Sequence, residues 1–298
     1  HNVINVDRRK KEIPGVTLYP FDLDNSQIKG VIQLTKPDTI MHFAAEHEVA
    51  RSMEEPDRYY WNNVANTIAL LNHAVEAGVK NFVFSSSSSV YGDSDNLLNS
   101  EIDDINPKTP YGRTKAMVED MLKDYANAYD INFVALRYFN AAGADPENTH
   151  GYTQEPASHI VPIISRKILA GEPVEVFGTD YDTKDGTCIR DYCHIQDIAD
   201  AKLKAVEYLN NGGTSGIFNL GSSAGFSIFD LISSVENVTG KKVNYEVGPR
   251  RAGDPSYLCA NTDKAKELLN WQPQFSLDQM FEHSQLWLEN KSKAIKNK

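Results

Sequence analysis

The sequence predicts an α/β protein built on a doubly wound parallel sheet, followed by a smaller α/β region. Three observations predict it. Short, nearly continuous apolar runs recur through residues 1–141, as strands covered on both faces do. Helical periodicity fills the intervals between them, and strand–helix alternation makes parallel sheets. Beyond residue 141, glycine, proline and charge become more frequent and the elements shorten.

The strands in order are Val3–Asp7, Val16–Phe21, Thr39–Ala44, Asn81–Ser86 and Asn132–Tyr138. The first ends on an acid, and the fourth breaks into a run of serines before Val90-Tyr91-Gly92. Between the third and fourth, Val64, Ile68, Leu71 and Val75 share one helical face, with Gly78 as its stop. Thr109 suits an N-cap and Pro110 a first helical turn. Val118, Met121, Leu122 and Tyr125 then give that helix its apolar stripe. The division expected is a first domain over 1–141 and a second over 142–298. Residues 192–220 return to the first as the helix Tyr192–Leu209 and the strand Gly216–Leu220. The lysine-rich tail from Lys291 is expected to fray into solvent.

Composition narrows the function. A formal charge of −11 over 298 residues argues against a nucleic-acid surface. The apolar runs are too short to span a bilayer. Cys188, Cys193 and Cys259 are the only cysteines, an odd and sparse set that reads as reduced thiols in a cytosol. None of their spacings suits zinc, so no metal is expected.

The chemistry concentrates around Thr109-Pro-Tyr-Gly-Arg-Thr-Lys115. Tyr111 and Lys115, four apart in a helix, point into one space. An ammonium beside a phenol favours the phenolate and makes tyrosine a usable base near neutral pH. Ser87 lies at the C-terminal end of a strand, where doubly wound sheets place ligands. Among 14 tyrosines a Tyr-x-x-x-Lys pair alone carries little weight, and a serine run alone is a polar strand end. Their combination, strand, serines and capped helix, is what points to proton transfer.

With these residues the sequence resembles the extended short-chain dehydrogenase/reductases, and among them the UDP-glucose (UDP-galactose) 4-epimerases. The resemblance runs from about residue 2 to residue 285. Its most specific parts are Leu136-Arg-Tyr-Phe-Asn-Ala-Ala-Gly-Ala144, the long run Gly178–Tyr192, and Arg250-Arg-Ala-Gly-Asp254. It implies a Rossmann-like domain that binds NAD. It also implies Tyr111 as the base at the sugar C4 hydroxyl, Lys115 as the residue that tunes Tyr111 and holds the nicotinamide ribose, and Ser87 as the hydroxyl partner. Hydride would leave C4 for NAD and return to the other face of a bound 4-keto sugar. Related dehydratases carry Asp-Glu after the serine or threonine. Ser88 and Ser89 stand there instead, and Ser89 resembles the small hydroxyl residue that touches the sugar.

On the cofactor side the resemblance implies Asp7 at the adenosine ribose hydroxyls, a carboxylate that favours NAD over NADP. By itself Asp7 reads equally as a turn residue. Asp22 and Leu23 match the adenine contact, and Phe43, Ala44 and Ala45 let backbone approach the cofactor. His47 falls where relatives have lysine, although a lone histidine is more often a surface residue. Asn63, Tyr138 and Phe139 complete the set. The family opens with a strand and glycine-rich turn that cradle the pyrophosphate. The sequence, beginning at His1, is expected to start after them. Without that central strand, the first two strands should separate from the third and leave two apolar edges.

On the substrate side Arg190 and Arg251 suit a diphosphate, since guanidinium forks match phosphate geometry. The resemblance places Phe177 at the uracil, and Asn140, His159, Ile160 and Tyr192 at other substrate contacts. Asp254 either takes ribose hydroxyls or orients Arg251. Leu258 lies near the position that decides whether a 2-acetamido group fits. A homodimer is implied, paired through the helices around Val64–Val75 and Val118–Tyr125. Epimerisation of another UDP-sugar and a non-catalytic nucleotide-sugar-binding role remain the alternatives.

Overall fold

The computed structural model describes residues 1–94, 96–251 and 254–296, with backbone alone for 293–296. Ala252 and Gly253 of the Arg250–Asp254 motif lie outside the described residues. The chain begins with β1 (Ile4–Val6), β2 (Thr17–Tyr19), α1 (Gln27–Thr35), β3 (Thr39–His42), α2 (Val49–Glu54), α3 (Pro56–Tyr60) and α4 (Asn66–Ala77). It continues with β4 (Asn81–Ser87), α5 (Pro110–Ala128), β5 (Asn132–Tyr138), β6 (Asn140–Ala142), α6 (Ile160–Ala170) and β7 (Val174–Phe177). Next come β8 (Ile189–Arg190), β9 (Tyr192–His194), α7 (Ile195–Asn210), β10 (Gly216–Leu220), β11 (Phe226–Ser227) and α8 (Ile228–Thr239). The last elements are β12 (Tyr245–Gly248), β13 (Tyr257–Leu258), α9 (Asp263–Leu269) and α10 (Leu277–Lys296). The tail expected to fray from Lys291 is therefore helical to Lys296.

These elements form two compact units. The first holds residues 1–90, 107–136 and 205–217; the second holds 91–106, 137–204 and the chain from 218 onward. The mixed α/β architecture is the Rossmann-like one expected, and β10 lies beside β5; of the stretch 192–220, residues 205–217 fall in the first unit and 192–204 in the second.

The main sheet has the order β10-β5-β4-β3. Every residue of β4 is buried, as befits Phe82, Val83 and Phe84 in an inner strand. Phe82, Phe84, Phe133, Leu71, Val118 and Leu122 make the core of the first unit. The stripe Val118–Leu122 thus faces inward as its spacing requires. Thr109 accepts a hydrogen bond from the Gly112 amide at 3.2 Å, and Pro110 opens α5. Gly78 closes α4 in the left-handed conformation, φ 76°, where glycine has no Cβ penalty.

Two expectations change. Ile68 does not join the inward stripe of α4: it is 39% exposed, while Thr67, Leu70, Leu71 and Ala74 are buried. A π-helical turn at Trp61–Ala65 precedes α4. The buried face of α4 is centred on Thr67, Leu70, Leu71 and Ala74, which leaves Ile68 at its edge. The first three strands are also not covered as their apolar runs suggest: β1, β2 and most of β3 are only half-buried or exposed. The reason is pairing. β1 and β2 form a separate parallel two-stranded sheet, and β3 has β4 alone as its hydrogen-bonded neighbour among the described residues.

The second unit is built around Val161, Ile164, Leu231, Val235, Met280 and Phe281, which α6, α8 and α10 contribute. Three small sheets accompany them, of order β11-β8-β13, β12-β7 and β6-β9. Ser227 and Asp230 form a reciprocal capping box at the start of α8. No helix among the described residues is long and apolar enough to cross a membrane.

Candidate active site

The first unit holds the residues expected to transfer the proton. Tyr111 and Lys115 lie in the first two turns of α5 and are buried, as is Ser87 at the end of β4. The Lys115 Nζ donates to the Ser85 carbonyl oxygen at 2.8 Å. It stands 4.8 Å from the Phe84 ring centroid and 5.7 Å from that of Tyr111. Helix spacing thus delivers the pair to one place, and β4 supplies its floor. Ser87 Oγ lies 3.2 Å from both the Ser89 hydroxyl and the Ser89 amide, so the two serines form one hydroxyl cluster. Burial pushes the Lys115 ammonium down to about 7, with the charge of Glu119 acting against it. An ammonium poised there changes charge near neutral pH, which suits a group that tunes a neighbouring phenol.

Gly112 sits between the two. A Cβ on it would meet the Ser89 carbonyl oxygen at 2.5 Å and Pro107 Cβ at 3.0 Å. Glycine is what lets α5 approach the serine run so closely. On its other side Tyr111 meets the Tyr59 ring edge-on, centroids 6.5 Å apart.

The expected cofactor residues of this unit gather at strand ends. Asp7 follows β1 and receives the Arg9 amide at 2.8 Å. Asp22 receives the Leu23 amide at 2.8 Å and faces Arg8 at 3.6 Å. Phe43 is 58% exposed after β3, beside exposed Ala44, half-buried Ala45 and exposed His47. Asn63 is fully engaged. It donates to the Glu46 carbonyl at 3.0 Å and to Thr114 Oγ1 at 3.1 Å, and it accepts from the Glu46 amide at 2.8 Å. It pins the loop after β3 to α5 beside the pair. Small residues and carboxylates at the C-terminal ends of parallel strands fit a dinucleotide.

Tyr138 and Phe139 belong to the second unit, where Lys202 Nζ lies 5.6 Å from the Tyr138 ring and Phe139 is buried. This unit also carries the expected nucleotide-sugar residues. Arg190 donates to Asp254 Oδ1 at 2.5 Å and to the Pro255 carbonyl at 2.6 Å. Asp254 thus pairs with Arg190, while Arg251 places its guanidinium 4.0 Å from the Phe177 ring centroid; of the two roles expected for Asp254, ribose contact and orientation of Arg251, no side-chain bond between Asp254 and Arg251 is seen among the described residues. Tyr181, which sequence reasoning passed over, brings its hydroxyl to Asp254 Oδ2 at 3.4 Å. Asn140 donates to the Asp191 carbonyl at 2.8 Å. Tyr192 is buried, and burial drives its phenol far above the usual range. His159 precedes α6 beside Ser158 Oγ at 3.2 Å, and Ile160 packs against the core of this unit.

Two further networks also escaped the sequence reading. Asp191, fully buried, accepts from the Tyr192, Ser222, Ser223 and Ala260 amides and from Ser222 Oγ. It knits three segments together, and its signal was only its place within the Gly178–Tyr192 run. Tyr91 donates to Asn219 at 2.7 Å and accepts from Arg137 at 2.9 Å. Burial pushes its phenol up to about 12.

Comparison with known proteins agrees with this geometry. The chain is 42% identical over 292 residues to a UDP-glucose 4-epimerase of Halalkalibacterium halodurans, covering 96% of this chain and 87% of the relative. A UDP-glucose 4-epimerase of Stenotrophomonas maltophila, solved with bound NAD and formylated UDP-arabinopyranose, superposes with TM-score 0.94 at 34% identity, covering 99% of this chain and 92% of that one. The UDP-Glc/GlcNAc 4-epimerase of Campylobacter jejuni superposes with TM-score 0.84 at 36% identity, covering 97% and 92%. The family model of the NAD dependent epimerase/dehydratases matches residues 1–221, and the chain belongs to that family.

Proposed function

We propose that this chain interconverts UDP-galactose and UDP-glucose by NAD-dependent epimerisation at C4. The observation that carries the reading is the buried Tyr111–Lys115 pair set against the Ser87–Ser89 hydroxyls, in a chain whose relatives are UDP-glucose 4-epimerases. NAD, when bound, supplies the hydride acceptor and donor. Tyr111 removes the proton of the sugar C4 hydroxyl and returns it. Lys115 favours the phenolate and holds the nicotinamide ribose. Ser87 holds the C4 oxygen, and Ser89 touches the sugar. Asp7, Asp22, Leu23, Phe43, Ala44, Ala45, His47, Asn63, Tyr138 and Phe139 are the residues offered to the dinucleotide.

Arg190, Arg251, Phe177 and Asp254 serve the UDP moiety in this reading, with Asn140, His159, Ile160 and Tyr192 completing the substrate contacts. The first unit is then the dinucleotide half and the second mainly the nucleotide-sugar half. A homodimer fits the exposed apolar side chains Trp61 and Ile68, at the start of and within the α4 region, and Met117 on α5. A cytoplasmic location accords with three free, buried cysteines.

A second reading, a 4-epimerase that also takes N-acetylated UDP-sugars, is favoured by the likeness to the UDP-Glc/GlcNAc 4-epimerase. The medium-sized Leu258 in β13 is consistent with it. The experiment is conversion of UDP-galactose followed by NMR of the anomeric protons, with the N-acetyl pair in parallel and no added reductant. Appearance of UDP-glucose supports the proposal. Absence of interconversion of either pair by NAD-loaded protein overturns it.

A further inference from the structure

Glu119 is an acid where a helix of this kind should bury an apolar side chain. It lies in α5 between Val118 and Leu122 and is 2% exposed. It is four residues after Lys115 and eight after Tyr111, so all three share one helix face. Its Oε1 accepts from the Ser86 hydroxyl at 2.5 Å. Ser86, itself fully buried, stands in β4 between Ser85, whose carbonyl receives the Lys115 ammonium, and the candidate catalytic Ser87. Two consecutive serines of β4 thus bond to this helix face, Ser85 through its carbonyl to Lys115 and Ser86 through its hydroxyl to Glu119. Burying a carboxylate is costly unless a charge or hydrogen bond compensates. The Ser86 hydroxyl supplies one such hydrogen bond, and Lys115 precedes Glu119 by one helical turn.

We propose that Glu119 is a positioning residue of this site, whose carboxylate is the counter-charge that keeps the Lys115 ammonium charged beside Tyr111. The inference rests on the proposed reaction only for its consequence in catalysis; the charge relationship itself stands on the fold. The other titratable groups around the pair have their own partners. Tyr59, from α3, donates its hydroxyl to the Glu48 carbonyl. Glu46, in the loop after β3, is bound to Arg58 at 2.8 Å. His42, from β3, stacks on Phe84, centroids 5.9 Å apart, with its Nε2 2.9 Å from Thr67 Oγ1. Glu119 is the charged group that acts on Lys115, against the burial that lowers its proton affinity.

A purely structural Glu119 and a counter-charge behave differently when glutamine replaces it. Glu119→Gln keeps an acceptor for Ser86 and removes the charge. Ser86→Ala removes the hydrogen bond and keeps the charge. The first readout is the Lys115 amine midpoint in the full chain without ligand, followed by NMR of isotopically labelled lysine and assigned with Lys115→Arg. The second is the pH profile of kcat/KM for UDP-galactose in the NAD-loaded enzyme. In Glu119→Gln the Lys115 midpoint should fall by about one to two pH units, and the alkaline limb of the profile should move down with it. In Ser86→Ala the midpoint should stay within about half a unit of the parent. An unmoved midpoint in Glu119→Gln, or an equal shift in Ser86→Ala, overturns the proposal. If Glu119→Gln does not fold, Glu119→Met takes its place: it too removes the charge, the same fall in the Lys115 midpoint is expected, and an unmoved midpoint overturns the proposal. If the midpoint moves as expected while the parent interconverts no UDP-sugar, the proposed reaction is what fails, and the charge relationship stands.

Discussion

The Lys115 ammonium is hydrogen-bonded to the Ser85 carbonyl oxygen at 2.8 Å, so α5 is latched to the end of β4 by the side chain that the proposed reaction needs charged. That latch is held at a cost to the fold. Burial lowers the Lys115 proton affinity from the usual lysine range to about 7. A base whose affinity falls on folding contributes full stability above its unfolded value and loses it as pH falls through the folded value. Lys115→Met should therefore gain stability relative to the parent as pH drops from about 10 to about 7. The limit is roughly 5 kcal/mol, less about 1 kcal/mol for the lost hydrogen bond. Urea unfolding of both proteins across that range checks it. The same variant should lose most epimerase activity.

Gly112→Ala tests the close approach of α5 to the serine run. Its methyl would press on backbone, the Ser89 carbonyl oxygen, which cannot swing aside as a flexible side chain does. Overpacking of this kind costs about 1–3 kcal/mol. The thermal midpoint should fall, and activity should fall further than stability explains, because Tyr111 and Lys115 flank the shifted residue. Thermal melts alongside kcat measurements separate the two effects.

His194 governs acid stability in the second unit. Its Nδ1 accepts the Gln196 amide at 3.0 Å, so Nε2 carries the proton and donates to His283 Nδ1, also at 3.0 Å. Burial, reinforced by His283, lowers the His194 proton affinity to about 4. By the same linkage, the unfolded chain takes up this proton first. Stability should fall as pH drops from about 6.5 to about 4, by ~3 kcal/mol from this group. His194→Gln should flatten that part of a stability–pH curve measured by denaturant unfolding.

Asp191→Asn is expected to be far more damaging than its size suggests. One carboxylate oxygen accepts from the Tyr192 and Ser222 amides, the other from the Ser223 and Ala260 amides. Asparagine has one acceptor oxygen, so its amide NH2 must face buried N–H donors. Removing such a buried acceptor costs ~3–5 kcal/mol. Hydrogen exchange at residues 221–223 and 260, measured with overall stability, should report the local loss.

Much of the catalytic half was legible because it is local. Four-residue spacing placed Tyr111 with Lys115, and Thr109-Pro110 marked where their helix starts. Ser87 followed from the end of an apolar run. Glu119 was passed over because an acid in a helix ordinarily faces water, and its partner Ser86 lies 33 residues away. For Asp254 the sequence offered only its near neighbour Arg251 as a protein partner, beside the ribose hydroxyls, whereas Arg190 lies 64 residues back and is met only on folding. Apolar content read β1 and β3 as strands covered on both faces, but their exposure depends on pairing along the strand edges. Ile68 lies at the edge of the buried face because Thr67, a polar residue the apolar pattern skips, takes the inward position beside Leu70, Leu71 and Ala74.

The central claim is that Tyr111 moves the proton at C4 of a UDP-sugar. Its most direct measurement is the rate of UDP-galactose conversion by NAD-loaded Tyr111→Phe beside the parent. The substitution removes one oxygen from a buried ring and should leave the thermal midpoint nearly unchanged. The account predicts a fall in kcat of about 10²–10⁴-fold. A folded Tyr111→Phe protein that turns over at the parental rate contradicts it.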